Sequence, residues 1–269
     1  MLDLTASIVL YKNDRTELKK AIDSFLDTLL NIKLYLVDNS STNELQDVIK
    51  DGRVEYIFNN ANVGFGRAHN IALQKAVNES KYHLVLNPDI FFPKMTLERI
   101  KNFMDQDDSI GLLLPKVLYP DGSLQRLCRL LPTPSDLFFR RFLKPFTKNV
   151  DFYYEMQFAD YNTTFEAPFL SGCFMFLRTN ILKEIGFFDD NIFLYWEDLD
   201  LSRRINKRFK TLYYPEVFVY HKYERGAHKN FRLLVRSIKS LLYYFNKWGW
   251  IDRERKKVNK RIVDWHLNN

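Results

Sequence analysis

The sequence predicts an α/β fold in which helices cover both faces of a mostly parallel central sheet. Over the first hundred residues, short apolar segments rich in β-branched residues alternate with segments of helical spacing. Repeated strand–helix–strand units of this kind build parallel sheets. In addition, 46% of the 269 residues are hydrophobic, which suffices for the core of one large domain.

The individual elements follow from local patterns. Strands are predicted at residues 4–11, 33–40, 53–60 and 82–89, and helices at residues 15–30 and 66–77. The first helix carries five apolar residues on one side, namely Leu18, Ile22, Phe25, Leu26 and Leu29. Ligands of such sheets bind beyond the carboxyl ends of the strands. The polar residues that follow the strands are therefore the first candidates for a site.

The second half has a less regular pattern. Residues 115–168 combine prolines, aromatics and basic residues with weak periodicity, which indicates a long insertion or lid. The further predicted elements are a buried strand pair around Gly172 (165–179), a helix (198–209), two short strands broken by Pro215 (211–221) and a helix from about 228. We expect a main domain at 1–227 and a basic, aromatic, helical segment at 228–269.

The composition excludes several classes of protein. Cys128 and Cys173 are the two cysteines of the sequence, too few for a disulfide framework or a structural zinc cluster, and this fits a reducing compartment. The first residues form a strand pattern without a basic region, which is not typical of a signal peptide. Apolar runs of about 18 residues are absent from the sequence. The expected location is the cytoplasm.

The basic charge is concentrated at the C-terminus. Residues 222–269 hold 13 Lys and Arg against 4 Asp and Glu, a net charge of +9, while the other residues hold 27 against 29, a net charge of −2. Basic and aromatic residues at helical spacing favour contact with an anionic membrane surface on the inner face of the plasma membrane. A helix packed on the body with a solvated basic face is the alternative. Nucleic acid is not expected as a partner, because the acidic sheet edge would repel it.

Two aspartates follow predicted strands. Asp38 ends the second strand in "VDNSST", and Asp89 ends the fourth in "LNPDI". Either residue can be an ordinary turn former or helix cap. Alternatively, Asp38 accepts a hydrogen bond from a nucleotide base or ribose, and Asp89 is a hard oxygen ligand for Mg²⁺ or Mn²⁺ on a diphosphate.

Two further segments suggest binding. In "NVGFGRAHN" (62–70), Gly64 and Gly66 allow close approach of a ligand to the backbone, with Arg67 near phosphate; the dinucleotide fingerprint is incomplete because His69 stands where a third glycine would be. His221 follows the strand "VFVY". It is either a structural histidine or a ligand for a Mn²⁺-type ion.

The segment "FFDDNIFLYWEDLDLSRR" (187–204) has two compatible interpretations. In one, its acidic residues at the helix start and its later arginines stabilise the helix through their charges. The preceding aromatics, however, would wall a dry pocket around the helix start. A carboxylate in such a pocket holds its proton more tightly and can act as a base near neutral pH. The positive end of the helix dipole lowers the pKa of the same carboxylate, so the sequence leaves its net pKa open.

Taken together, the segments resemble the inverting family 2 glycosyltransferases of the GT-A fold, from residue 4 to about 225. The motifs that carry the resemblance stand in the order "SIVLYKND", "LVDNSST", "NNANVGFGRAHN", "LNPDI", "SGCFMFLR", "GFFDDNIFLYWEDLDLSRR" and "VFVYH". The form of "LNPDI", "GFFDD" and "WEDLDL" is most similar to the rhamnosyltransferase branch, which builds bacterial surface polysaccharides such as O-antigen.

The resemblance implies roles for individual residues. Asp198 matches the catalytic base, with Glu197 beside it. The implied donor-binding residues are Tyr11, Asp38, Asn62, Gly64, Arg67, Asn70, Asn87 and Asp89, and the implied Mg²⁺ or Mn²⁺ ligands are Asp89 and His221. Asn87 stands where the family has the first Asp of its metal motif, so one charged contact to ribose or metal is missing here.

The expected activity is transfer of a sugar, such as L-rhamnose, from a dTDP- or UDP-sugar to a hydroxyl of a glycan or polyprenyl-diphosphate-linked acceptor. Asp198 would remove the proton of the attacking hydroxyl, and one displacement would invert the anomeric centre. Two alternatives remain at this point. One is a catalytically inactive glycan-binding or scaffold module, and the other is a sugar nucleotidyltransferase, which would call for a glycine-rich loop after the first strand that "LYKNDR" lacks.

Overall fold

A nine-stranded sheet forms the centre of the computed structural model, which describes residues 1–143, 147–222 and 231–268. The strands of the chain are β1 (Leu2–Leu10), β2 (Ile32–Asp38), β3 (Val54–Phe58), β4 (Ser80–Leu86), β5 (Ile90–Phe91), β6 (Ile110–Leu118), β7 (Cys128–Arg129), β8 (Phe165–Glu166), β9 (Phe169–Leu170), β10 (Phe174–Arg178) and β11 (Lys210–His221). The large sheet has the order β3-β2-β1-β4-β10-β6-β11-β5, with β8 on β11, and β7 pairs with β9 separately.

Most of the paired residues in the large sheet belong to parallel strand pairs, as predicted. Strands β1 to β4 run in one direction and β6 runs parallel to β11, whereas β10 lies antiparallel between β4 and β6. Consecutive residues of β1, from Leu4 to Ile8, are all buried. Because successive side chains of a strand point to opposite faces, helices must cover both faces.

Helices complete the architecture and are α1 (Arg15–Leu26), α2 (Phe65–Glu79), α3 (Thr96–Asp105), α4 (Pro134–Phe142), α5 (Lys148–Tyr154), α6 (Leu182–Ile185), α7 (Glu197–Asn206), α8 (Phe231–Trp248) and α9 (Arg253–Asn268). The Asp14 side chain caps α1 by accepting the N–H groups of Thr16 and Glu17. Helix α1 ends at Leu26, so the predicted extension to residue 30 is wrong, and Leu29 is 80% exposed.

The second half of the sheet differs from the prediction in two places. The segment 211–221 belongs to one strand, β11, whose register against β6 shifts between Tyr214 and Phe218. The shift lies beside Pro115 of β6, which has no N–H to donate, so β11 bulges where the ladder would be broken. In addition, β9 and β10 flank Gly172 but pair in different sheets.

The range 115–168 contains more regular structure than its sequence indicates. Its first residues belong to β6, a strand inside the central sheet. The sequence pattern does not indicate this strand, because Pro115 and Lys116 interrupt the apolar run. The remainder contributes β7, α4, α5 and β8. Helix α4 begins with a capping box in which Thr133 and Asp136 exchange hydrogen bonds. A lid role for this region remains a prediction.

The two C-terminal helices pack on the body of the protein. Tyr244, Phe245 and Ile262 are buried. A buried ion pair joins Arg203 of α7 to Asp252, which precedes α9. Residues 228–230, where the sequence predicts that the helix begins, lie outside the described residues. Among the helices that the structure describes, none combines the length and the apolar character needed to cross a bilayer.

Candidate functional site

Asp38 lies at the carboxyl end of β2 and is fully buried. Its Oδ1 accepts the N–H of Ser40 at 2.8 Å, and its Oδ2 accepts the Tyr56 hydroxyl at 2.6 Å. Burial, with the Asp38 carboxylate second, raises the pKa of Tyr56. The bond to the Ser40 N–H is the turn-forming contact that is the alternative to donor binding for Asp38. Its donor-binding role remains a prediction. Tyr11, 52% exposed at the end of β1, is open to an incoming ring.

Gly64 brings the start of α2 against the loop that precedes α7. Its φ is +95°, and a Cβ at this position would lie 2.3 Å from the backbone oxygen of Phe193. The N–H of Phe65 donates to that same oxygen at 3.0 Å. The backbone that approaches Gly64 closely is thus the protein's own, while the neighbouring Asn62 and Arg67 are exposed. The roles of these three residues toward the donor remain predictions.

Asn70 joins α2 to the same loop from the other side. Its amide Nδ2 donates to the Phe188 carbonyl at 2.9 Å and to Asp190 Oδ1 at 2.8 Å, and its Oδ1 accepts the Phe188 N–H at 3.0 Å. The side chain is buried. Asn70 therefore shapes the site by positioning residues 188–190, and direct donor contact by it remains a prediction.

The two residues expected to hold a metal ion are adjacent. The Nε2 of His221 lies 3.5 Å from Oδ1 of Asp89. Strands β11 and β5 pair His221 with Ile90, and the Lys222 N–H donates to the Asp89 carbonyl. The topology thus brings His221, at the end of β11, next to Asp89, which follows β4, although more than a hundred residues separate them in sequence.

Gln125 determines which histidine nitrogen faces Asp89. Its Nε2 donates to the His221 carbonyl at 2.7 Å, so its Oε1, 3.0 Å from Nδ1 of His221, accepts a hydrogen bond from the N–H of that nitrogen. Nε2 then presents a lone pair toward a carboxylate oxygen, and a cation between the two is favourable. The two side chains therefore fit a divalent ion whose remaining ligands would be phosphate oxygens and water. Among the described residues, no group of three or more His, Cys, Asp or Glu is arranged to hold a metal ion by itself.

A strained turn precedes the candidate base. Tyr195 and Trp196 have φ values of +64° and +73°, an unusual conformation for large side chains that costs about 1–3 kcal/mol at each residue. Helix α8 holds this turn: the Trp196 indole donates to Ser237 Oγ at 3.0 Å, and Ser240 donates to the Leu194 carbonyl at 3.0 Å. The turn directs the first residues of α7 into the site.

Asp198 lies in the first turn of α7, where two backbone groups fix its carboxylate. Its Oδ2 accepts the N–H of Gly172 at 2.8 Å, and its Oδ1 accepts the N–H of Leu199 at 2.9 Å. Burial raises the pKa of Asp198, whereas these N–H groups and the charge of Arg129 lower it. The net effect is a raised pKa, which the sequence had left open.

Glu197 precedes Asp198 as the first residue of α7 and is buried. Its β-carbon packs against the position of Gly66, and no hydrogen-bond partner for its Oε2 occurs among the described residues. Burial, with the Asp198 charge second, raises the pKa of Glu197 well above its ordinary value. Glu197 therefore holds its proton more tightly than an exposed glutamate, and the roles of Glu197 and of Asp198 in catalysis remain predictions.

The metal pair and the candidate base converge through residues 172 and 173. The Gly172 N–H binds Asp198, and the Cys173 carbonyl accepts the N–H of Asn87 at 2.9 Å, two residues before Asp89. Burial raises the pKa of the Cys173 thiol to about 12, and both Asp89 and Asp198 add to the shift. Both carboxylates therefore act on one buried thiol.

Sequence reasoning missed three contributors to this site. Gln125 orients His221, Gly172 leaves room for Asp198, and Arg129 acts on the charge of Asp198. The segment "DGSLQRLCRLLPTP" (121–134) contains Gln125 and Arg129 but shows little periodicity, so no sequence pattern marks these two residues as part of the site.

Comparison with known proteins agrees with the predicted family and fold. The sequence model described as Glycosyl transferase family 2 matches residues 7–186. The chain is 23% identical over 209 residues to the low-salt glycan biosynthesis hexosyltransferase Agl10 of Haloferax volcanii, covering 76% of this chain and 62% of that protein. It is 24% identical over 204 residues to the N-acetylglucosaminyl-diphospho-decaprenol L-rhamnosyltransferase of Mycobacterium tuberculosis, covering 71% of this chain and 66% of that protein. The chain thus spans just under two thirds of the length of these relatives.

Two solved structures share the fold. The structure of GalNAc-T7 with UDP, GalNAc and Mn²⁺ matches 95% of this chain and 50% of its own, with a TM-score of 0.69 and 18% identity. The mannosyltransferase PcManGT from Pyrobaculum calidifontis, in complex with GDP-Man and Mn²⁺, matches 91% of this chain and 64% of its own, with a TM-score of 0.60 and 15% identity. With the family match covering well over half of the residues, the chain belongs to glycosyltransferase family 2 and has the GT-A fold.

Proposed function

We propose that the chain is an inverting, metal-dependent glycosyltransferase that moves L-rhamnose from a nucleotide-diphosphate donor to a hydroxyl of a lipid-linked glycan. The observation that carries the proposal is the convergence of the Asp198 carboxylate and the Asp89–His221 pair on Gly172–Cys173. A base beside a cation site is what single-displacement transfer needs.

Asp198 has the properties of a general base. Backbone N–H groups donate to both of its oxygens, so the carboxylate has a fixed direction. Its raised pKa makes it a stronger base than an exposed aspartate. It would take the proton of the acceptor hydroxyl as the oxygen attacks the anomeric carbon. The attack occurs opposite the leaving diphosphate, which inverts the configuration.

Asp89 and His221 would hold a divalent ion against the donor diphosphate. When bound, Mg²⁺ or Mn²⁺ stabilises the negative charge that builds on the departing phosphates. Gln125 keeps His221 in the tautomer that can bind it, and the backbone around Asn87 and Asp89 fixes the second ligand. The solved GT-A structures named above contain Mn²⁺, which supports a divalent ion here as well.

The names of the relatives support the sugar and the acceptor. One is a rhamnosyltransferase named for a diphospho-decaprenol acceptor, and another is a hexosyltransferase of glycan biosynthesis. We therefore expect dTDP-L-rhamnose or a UDP-sugar as donor, a polyprenyl-diphosphate-linked glycan as acceptor, and a place on the inner face of the plasma membrane.

The outward surfaces of α8 and α9 support membrane contact. Ile238 and Leu242, each 45% exposed, lie one turn apart on α8 beside exposed Lys239, and α9 exposes Lys256, Lys257 and Lys260. Deleting the two helices would also uncover Tyr244 and Phe245, so point substitutions give a cleaner test. Changing the three α9 lysines to glutamate should reduce co-sedimentation with anionic vesicles. Undiminished co-sedimentation would remove α9 from the proposal.

The decisive experiment combines donor binding with product analysis. Calorimetry with dTDP-, UDP- and GDP-sugars, each with and without Mn²⁺, should show one preferred nucleotide whose affinity depends on the metal. Incubation of the preferred donor with a short polyprenyl-diphosphate-linked N-acetylglucosamine should give a product with the opposite anomeric configuration by NMR. Retention of configuration would overturn the mechanism. Tight donor binding with no turnover on any lipid-linked or free glycan would favour an inactive glycan-binding module.

A further inference from the structure

Arg236 of α8 contacts the loop that precedes the candidate base. Its guanidinium carbon lies 4.3 Å from the centre of the Phe193 ring, over the aromatic face. The backbone oxygen of the same Phe193 accepts the N–H of Phe65, the first residue of α2, at 3.0 Å. Phe193 therefore lies between the guanidinium and the start of α2, where the donor-binding residues are predicted.

The next residue of α8 connects Arg236 to the start of α7. Ser237 accepts the indole N–H of Trp196 at 3.0 Å, and Trp196 comes two residues before Asp198. Because the turn at Trp196 is held by α8, the position of Arg236 is fixed relative to that of the candidate base. The guanidinium thus lies beside the segment that leads into Asp198.

Two cationic side chains of α8 meet the loop at 187–194, and they differ in their partners. Lys247 is 2.7 Å from a carboxylate oxygen of Asp189 and 2.8 Å from one of Asp200. Arg236 is exposed and has neither an ion pair nor a hydrogen bond within the part of the chain that the structure describes. A guanidinium over an aromatic face keeps its N–H donors free for an anion. The charge of Lys247 is therefore balanced within the protein, whereas that of Arg236 is available to a ligand.

The exposed surface of α8 leads from Arg236 to the surface proposed to contact the membrane. Residues three apart are neighbours on a helix, so exposed Arg236, Lys239 and Leu242 form a continuous strip. Arg236 is the end of this strip that touches the loop before Asp198. In a lipid-linked glycan, the diphosphate occupies the equivalent place, because it joins the lipid to the sugar. A guanidinium can bind it with two parallel hydrogen bonds.

We propose that Arg236 binds the diphosphate of the lipid-linked acceptor and thereby selects acceptors that carry one. The inference rests on the proposed function, since it takes Asp198 to activate a hydroxyl of such an acceptor. With its diphosphate on Arg236, the acceptor would extend its sugar along the loop toward Asp198. The donor carries a diphosphate as well, which is assigned to Asp89 and His221, so the test has to separate the two.

The test compares two acceptors that differ in the diphosphate. One is N-acetylglucosamine linked to a short polyprenyl chain through a diphosphate, and the other carries the same sugar and chain without it. Arg236→Met should raise KM for the first by about 10- to 100-fold, the loss expected for hydrogen bonds to a charged group, and leave KM for the second unchanged. Arg236→Lys should raise it less, because an ammonium keeps the charge but not the planar fork.

Arg253→Met is the matched control. Arg253 at the start of α9 is exposed and has no ion pair among the described residues, so the variant removes an equal charge from the same C-terminal region. Its KM should equal that of the wild type with both acceptors. An unchanged KM for the diphosphate acceptor in Arg236→Met, an equal rise with both acceptors, or an equal rise in Arg253→Met would overturn the proposal.

Calorimetry separates the acceptor from the donor. The affinity for dTDP or UDP with Mn²⁺ should be the same in Arg236→Met and the wild type; a weaker affinity would assign Arg236 to the donor and overturn the acceptor assignment. If the wild type transfers sugar to neither acceptor, the proposed function fails, and binding of farnesyl diphosphate with the nucleotide and Mn²⁺ already bound still tests Arg236. The wild type and Arg253→Met should bind it equally and Arg236→Met more weakly. Equal affinities in all three, or no binding by the wild type, would refute the assignment.

Discussion

Gly172→Ala is expected to disable the base while leaving the donor site intact. A Cβ at this position would lie 3.0 Å from Asp198 Cβ and 3.3 Å from its Oδ2. Carbon atoms pack best at about 3.5–4.0 Å, so the Asp198 side chain must move by roughly 0.5–1 Å. That movement would weaken the 2.8 Å hydrogen bond from the Gly172 N–H, which aims the carboxylate.

Displacement of a catalytic group by about 1 Å can cost a factor of 10² in rate. We therefore expect kcat to fall by about 10- to 100-fold in Gly172→Ala. Overpacking should lower the free energy of unfolding by about 1–3 kcal/mol. Steady-state kinetics gives kcat, calorimetry gives the donor affinity, which should be unchanged, and urea unfolding gives the stability.

Gly52→Ala is the control, because a Cβ at Gly52 would meet no atom within 4 Å. It should match the wild type in rate and in stability. A Gly172→Ala variant with wild-type kcat would refute the reasoning, since it would show that the position of Asp198 is not limited by this contact. Weakened donor affinity would point instead to a wider disturbance of Gly172–Cys173.

The remaining predictions concern the base, the cation pair and the strained turn. Asp198→Asn should lower kcat by about 10²- to 10⁴-fold with little change in donor affinity, and an active variant would exclude it as the base. Because burial raises the pKa of Asp198, wild-type kcat/KM should fall on the acid side at a pH above the ordinary aspartate range; a profile that stays flat into that range would contradict a buried base. Asp89→Ala should weaken donor binding by calorimetry in Mn²⁺ but not in its absence, and equal losses in both conditions would argue against a metal ligand. Ser237→Ala should cost about 1 kcal/mol of stability in urea unfolding, the value of one hydrogen bond, yet lower kcat as well; an unchanged kcat would show that the turn is held without it.

The sequence allowed the sheet edge to be predicted because strand exits have local signals. Asp38 and Asp89 follow apolar runs, and both lie at strand exits in the structure. The close neighbours of Gly64 and Gly172 could not be predicted, because each contact joins residues far apart along the chain. The unbroken β11 was missed for a related reason, since the bulge that accommodates Pro215 is set by Pro115 on the neighbouring strand.

The conformations of Tyr195 and Trp196 had no sequence signal either. Large aromatic residues rarely adopt positive φ, and local preference argues against it. Tertiary contacts decide the outcome here, since α8 supplies hydrogen bonds to Trp196 and Leu194. Helix α7, by contrast, was predictable from its acidic start and its buried Leu201 and Ile205.

The dependence of this turn on α8 has a consequence for protein engineering. The family match ends at residue 186, before the turn, while the hydrogen-bonding serines follow residue 231. A chimera that joins the first part of this chain to the C-terminal helices of a relative would separate Trp196 from Ser237 and Leu194 from Ser240. Residues 187–206 and α8 should therefore be exchanged together, as one module, when parts of this chain and of a relative are combined.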